Sequence, residues 1–351
     1  MSKSFNMNDF NHIPYLYWVF THVCNDHCDH CYNDSGPQGD RMTDEECLAI
    51  IKNLPPDIDR LMLSGGEPLA LRKQLYLIVD TLREKYDKES TKLTIQTNGD
   101  LLNEKKLDTL IEKGVNHIGI ASIDRYHKNK GERKELLEEL FQSRGMETFS
   151  PDEKEMEGLS DEAVMAIHQQ FEDENTLTYG FMGANEDFWL GGNWARGRAY
   201  ENDLWMQDHT HNFCAMHSGA KGFLGGKDNV QEISIQLWKI NPCCPGTKVP
   251  MGDARTEKVT DVMQRVSKSE IFQKLNDGDP WRMGESIGVS EEHALERGEE
   301  LQNVCLWCDE FFANHFDMET LSAKNGNGEE KKEGKLSEFE QLMRAQGRSK
   351  S

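Results

Sequence analysis

Apolar positions along the first half of the chain alternate between two periods. Short runs rich in aromatic and β-branched residues read as strands, at Tyr15–Thr21, Arg60–Leu63, Leu93–Gln96, His117–Ala121, Met146–Phe149 and Leu177–Met182. Between them, apolar residues recur three to four apart, the spacing of one helix face. These stretches are Thr43 to about Leu54, Leu71–Lys85, Asn103–Lys113, Glu132–Ser143 and Ser160–Gln170. Thr43-Asp44-Glu45-Glu46 has the form of a capping box opening the first helix. Strand–helix alternation predicts a parallel sheet covered by helices. Six such units over roughly 170 residues suit a partial, TIM-like (β/α)6 barrel, since a full eight-unit barrel needs ~250.

The pattern changes after the Gly/Arg-rich stretch Gly191–Arg198. From Cys214 to Cys308 the periodicity weakens, with a strand at Glu232–Trp238 and a helix at Thr260–Leu275. Beyond Leu321 the chain is charged and poor in apolar residues, the composition of a disordered tail. The expected organisation is therefore an N-terminal segment 1–14, a barrel 15–200, a small cysteine-rich domain 201–320 and a tail 321–351.

Charge narrows the partners. A formal net charge of −22 over 351 residues repels nucleic-acid phosphates and anionic lipid, so neither is an expected partner. No apolar run approaches the ~20 residues of a membrane helix. The first residues lack the apolar stretch of a secretory signal, so the cytoplasm is the expected address.

Nine cysteines, an odd number including C-x2-C spacing, point to metal binding in a reducing compartment rather than to disulfides. Cys47 falls inside a helical pattern and reads as a small buried hydrophobe. Cys24, Cys28 and Cys31 form C-x3-C-x2-C, three thiolates and one short of a closed site. Iron–sulfur cubanes usually take four cysteines, so three leave one iron open to another ligand. Half of a zinc cage, completed from elsewhere, is the alternative.

Placement adds to spacing. The cysteine triplet follows the first strand, Ser64-Gly65-Gly66-Glu67-Pro68 the second, Thr97-Asn98-Gly99 the third and Ser122-Ile123-Asp124 the fourth. Loops after the C-terminal ends of parallel barrel strands converge on one face. There Gly65 and Gly66 would let backbone approach a ligand closely, and Glu67 could hold an ammonium group.

Cys-Asn-x2-Cys-x-His-Cys-Tyr followed by Gly-Gly-Glu-Pro resembles the radical S-adenosylmethionine (radical SAM) superfamily, over about residues 15–200. The resemblance implies a [4Fe–4S] cluster on Cys24, Cys28 and Cys31, its fourth iron chelated by S-adenosylmethionine. It places Gly65, Gly66 and Glu67 by the methionine amino group and Ser122 and Asp124 by the ribose. Asn98 joins them as a cofactor-binding residue, and Gly180–Glu186 loosely matches a segment near the adenine. Cys214, one of Cys243 or Cys244 (Cys243 by the spacing to the next proline), Cys305 and Cys308 resemble the ligands of a Twitch domain, a shortened SPASM domain holding an auxiliary [4Fe–4S] cluster. His209, His211 or His217 could replace Cys214. Arg198, in Gly197-Arg198-Ala199, would contact substrate or pair with an acidic surface.

The implied reaction is hydrogen abstraction from an unactivated carbon of a small molecule by a 5′-deoxyadenosyl radical, with the auxiliary cluster accepting an electron. Flavodoxin or ferredoxin would supply the initiating electron. A maturase acting on a ribosomal peptide is the rival enzyme. Only 23 residues precede Cys24, less than a leader-binding domain, which favours the small molecule. A non-enzymatic zinc protein is the remaining reading; it leaves Gly-Gly-Glu-Pro unexplained.

Overall fold

The computed structural model describes residues 10–121, 130–148, 176–182, 193–216, 218–225 and 232–317. Ser122, Asp124, Gly183–Glu186, His217, the stretch 160–170 and the tail lie outside them. The strands are β1 (His12–Val19), β2 (Asp57–Ser64), β3 (Lys92–Thr97), β4 (His117–Ala121), β5 (Glu147–Thr148), β6 (Thr178–Met182), β7 (Glu232–Gln236), β8 (Lys239–Asn241) and β9 (Gly252–Asp253). The helices are α1 (Asp44–Asn53), α2 (Arg72–Lys85), α3 (Glu104–Glu112), α4 (Lys130–Gln142), α5 (Gly197–Glu201), α6 (Val259–Val266), α7 (Glu270–Asn276), α8 (Glu291–Leu301) and α9 (Val304–Asn314). No described helix is long and apolar enough to cross a membrane.

The capping box forms as its residues dictate. Thr43 Oγ1 accepts from Glu46 N at 3.2 Å, and Glu46 Oε2 accepts from Thr43 N at 2.9 Å. The expected helix Thr260–Leu275 is instead two, α6 and α7, separated at Ser267–Ser269.

All nine strands join one sheet in the order β5-β6-β4-β3-β2-β1-β7-β8-β9, parallel from β5 through β7 and antiparallel at β8 and β9. The fold is α/β with a largely parallel sheet. Two features differ from the sequence expectation. The two-residue β5 lies at the outer edge beyond β6, so β6 pairs directly with β4. And β7, expected to begin a separate unit after residue 200, pairs in parallel with β1 from Tyr15↔Glu232 to Val19↔Gln236. The sheet crosses that boundary because a strand's partner is set by long-range hydrogen bonding, which periodicity does not report.

The two faces of the sheet differ. One carries Leu16, Trp18, Leu61, Leu63, Leu93, Ile95, Ile118, Ile120, Ile233 and Ile235, all buried. It belongs to the same core as Cys47, Ile50, Leu75, Ile78, Val79, Leu107, Leu110 and Phe141 of α1–α4. The opposite face places Tyr17, Ser64, Gln96, His117, Thr178 and Ser234 in facing rows. Tyr17 Oη donates to Ser64 Oγ or Gln96 Oε1, each at 2.9 Å. His117 Nδ1 lies 2.8 Å from Thr178 Oγ1, and burial pushes its pKa down to about 3. Buried polar groups are normally hydrogen-bonded, yet Thr94 Oγ1, Ser234 Oγ and Glu232 Oε1 are buried without a partner.

Candidate metal and cofactor site

The chain leaving β1 folds back on itself. Thr21 bridges Arg41, Val23 bridges Gly36, and Cys24 N donates to Gly36 O at 2.9 Å. The three cysteines sit in this hairpin-like loop within electrostatic reach of one another, and burial pushes Cys24 up to about 11 and Cys28 up to about 12. Donors already point at two of the sulfurs. Asp26 N lies 3.4 Å from Cys24 Sγ, Ser35 N 3.3 Å from Cys31 Sγ, and Asn98 Nδ2 3.9 Å from Cys24 Sγ. Such N–H···S contacts stabilise thiolates and tune any cluster they hold.

Gly65 and Gly66 approach the cysteine loop's own backbone. A Cβ on Gly65 would lie 2.6 Å from Thr21 O, and one on Gly66 2.5 Å from Val23 O. Gly66 N donates to Thr21 O at 2.7 Å and Glu67 N to Val23 O at 2.8 Å. The close approach here is of loop to loop.

Glu67 is held by partners within the protein. It is fully buried. Its Oε1 accepts from Leu69 N at 2.9 Å and Thr97 Oγ1 at 2.8 Å, and its Oε2 from Asn98 N at 2.8 Å. Burial raises its pKa while these donors lower it. The carboxylate splices the end of β2 to the end of β3. Asn98 extends the splice, donating from Nδ2 to Asn25 Oδ1 at 3.0 Å.

Arg198 clamps the cysteine loop, and its Nη1 also lies 3.9 Å from Asp34 Oδ1, the acidic pairing the sequence offered as one alternative. The arginine is 8% exposed. Its Nε donates to Cys28 O at 2.9 Å, its Nη2 to Ser35 O at 2.5 Å, and its backbone N to Cys31 O at 3.0 Å. Gly197 takes φ +49° and a Cβ there would lie 2.7 Å from both Cys31 O and Tyr32 O, so only glycine fits.

Two residues earlier, Arg196 faces the other cysteine set. The C-x2-C of Cys305 and Cys308 lies in the first turns of α9, where i,i+3 spacing aligns both sulfurs. Cys214 sits in the short turn Phe213–Ala215 and Cys243 follows β8. Burial raises all four thiols; Cys308, Cys305 and Cys243 raise Cys214 further, Asp309 and then Cys243 raise Cys308, and Arg196 opposes them on both. Arg196 also pairs with Asp309 at 3.1 Å. Cys244 turns away, its Sγ 3.4 Å from Tyr32 Oη, with Glu232 and Tyr17 as further neighbours. His211 packs on Phe213 and, with His209, lies beside Asp208. Sequence reasoning did not connect Arg196 with the second cysteine set, because its partners Cys305 O and Asp309 lie 109 and 113 residues further along the chain.

Comparison with known proteins adds the following. Residues 18–143 match the Radical SAM superfamily. An uncharacterized protein of Methanocaldococcus jannaschii is 31% identical over 125 residues, 33% of this chain and 43% of its own length. An uncharacterized protein of Archaeoglobus fulgidus is 30% identical over 111 residues, 31% of this chain and 25% of its own length. The chain thus spans less than half the length of these curated relatives. Similar solved structures include BtrN in complex with AdoMet and 2-DOIA (16% identity, TM-score 0.45, 76% of this chain and 88% of that one). Others are anSMEcpe with bound AdoMet (15%, 0.42, 83% and 99%) and Streptococcus suis SuiB bound to S-adenosylmethionine (15%, 0.40, 74% and 68%). Over residues 18–143, then, this chain is similar to the Radical SAM superfamily.

Proposed function

We propose that the protein is a radical SAM enzyme acting on a small polar molecule, with one [4Fe–4S] cluster on Cys24, Cys28 and Cys31. A second, auxiliary cluster on Cys214, Cys243, Cys305 and Cys308 makes the C-terminal part Twitch-like, beside a partial barrel formed by the parallel strands. The observation that carries this reading is the pairing of a three-thiol loop with a separate group of four thiols, three of them buried and Cys243 partly so. The donor sets fit: three thiolates leave one iron for S-adenosylmethionine, and four close a cubane.

When bound, cluster and S-adenosylmethionine supply a 5′-deoxyadenosyl radical that takes hydrogen from an unactivated carbon. The chain's own residues do the rest. Arg198 and the Gly65–Glu67 backbone hold the cysteine loop in shape. The N–H groups of Asp26 and Ser35 donate to the sulfurs of Cys24 and Cys31. The unpartnered Thr94 Oγ1, Ser234 Oγ and Glu232 Oε1 on one face of the sheet favour a hydrophilic substrate, since each gains a hydrogen bond it now lacks. Arg196 holds a positive charge beside these four thiols, favouring their deprotonated, metal-binding form.

Anaerobic reconstitution with iron and sulfide tests the reading. About eight irons per chain are expected, four per cubane, with 5′-deoxyadenosine formed from S-adenosylmethionine on dithionite reduction. Stoichiometric zinc without labile sulfide would refute it.

A further inference from the structure

A cavity of about 590 Å³ opens where the returning limb of the cysteine loop meets the segment after Glu67. Arg41, Arg72, Lys73 and Lys106 line it, with Asp44 as the acidic side chain among them. Asp44 Oδ1 is already engaged by Gln74 Nε2 at 2.8 Å, and Lys106 donates to Leu101 O. Arg41, Arg72 and Lys73 make no ion pair or side-chain hydrogen bond among the described residues. On a chain with 62 acidic and 40 basic residues, cations normally find carboxylates nearby. Three left unpaired around one opening form a positive island on a negative molecule.

Position gives the island its meaning. Arg41 bridges Thr21, three residues before Cys24, and His22 N donates to Asp40 O at 2.7 Å. Leu69 donates its N–H to Glu67. The cavity wall is thus continuous with the two segments that hold the first cysteine set. Radical initiation needs one electron from outside the chain, and complementary charge steers a carrier to a patch and fixes its orientation.

We propose that this basic cavity is the docking site of a small acidic one-electron carrier protein of the flavodoxin type. The carrier gives up one electron and is oxidised; the site on the cysteine loop gains it. The inference rests on the proposed radical SAM function, so its test separates the two.

Binding of flavodoxin is measured by calorimetry for the wild type and for Arg41→Gln/Arg72→Gln/Lys73→Gln, each without cluster, at low and high salt. Expected is a tenfold or greater loss of affinity in the triple variant, and a steep salt dependence in the wild type that the variant lacks. With reconstituted protein, the variant should keep dithionite-driven 5′-deoxyadenosine formation and lose the flavodoxin-driven reaction. Equal flavodoxin affinity in both proteins overturns the docking site. So does inorganic phosphate binding that the triple variant abolishes while flavodoxin binding persists, which would mark a small-anion site. Absence of dithionite-driven 5′-deoxyadenosine in the wild type would instead fail the functional reading, leaving the calorimetry to judge the docking site.

Discussion

Glu67 Oε2 accepts the backbone N–H of Asn98 at 2.8 Å, joining the end of β2 to the end of β3 directly beneath the cysteine loop. Through Asn98 Nδ2 the same connection reaches Cys24 Sγ at 3.9 Å. A residue expected to hold a ligand's ammonium group also shapes the cysteine loop.

Glu67→Gln should consequently cost stability before it costs cofactor. The amide replaces one acceptor oxygen with a donor facing N–H and O–H groups, a loss on the order of 2–4 kcal/mol for buried, charge-assisted bonds. Thermal unfolding of the unreconstituted chain measures it. An unchanged melting temperature with weakened S-adenosylmethionine binding would restore the ammonium role.

Arg198→Met should loosen the loop it clamps. Iron retained by the first site should fall by half or more, with the second site filled, as read by labile sulfide and by the spectra of each cluster. Arg198→Lys should recover part of it, since one ammonium can reach one carbonyl but not reproduce the fork on Cys28 O and Ser35 O. Full iron content in Arg198→Met would show that the clamp is dispensable.

The adjacent cysteines separate cleanly. Cys243→Ala should remove about half of the iron, four of about eight per chain. Cys244→Ala should keep both clusters, because its thiol faces Tyr32. Iron lost from Cys244→Ala and kept by Cys243→Ala would reverse the assignment.

Glu232 gives a pH dependence. Burial pushes its pKa up to about 8, opposed by the Ser218 hydroxyl; Tyr15, Tyr17 and Cys244 face it without supplying a positive charge. Its ordinary value is 4.5, so between pH 4.5 and 8 the folded chain holds a proton that the unfolded chain releases. Stability contributed by this group therefore falls as pH rises through that window. Glu232→Gln should abolish that part of the slope and be the more stable protein above pH 8. Parallel melting-temperature profiles for the two proteins would rule the account out.

The local pattern of the chain determined its parallel α/β character, the helix caps and the cysteine spacings, because periodicity and short-range geometry are properties of neighbouring residues. Cys24, Cys28 and Cys31 share one loop whatever lies around them, and Thr43 caps its helix through groups three residues apart. Tertiary structure decided what no neighbour could report. It set β7 beside β1, turned Cys243 toward Cys305 and Cys308 while Cys244 faced Tyr32, and placed Arg198 on carbonyls more than 160 residues away. It also gave Gly65, Gly66 and Glu67 partners within the protein. The physical reason is common to all of these: backbone carbonyls and N–H groups carry no residue identity, so the contacts that fix a site through them leave no mark in the sequence until the chain has folded.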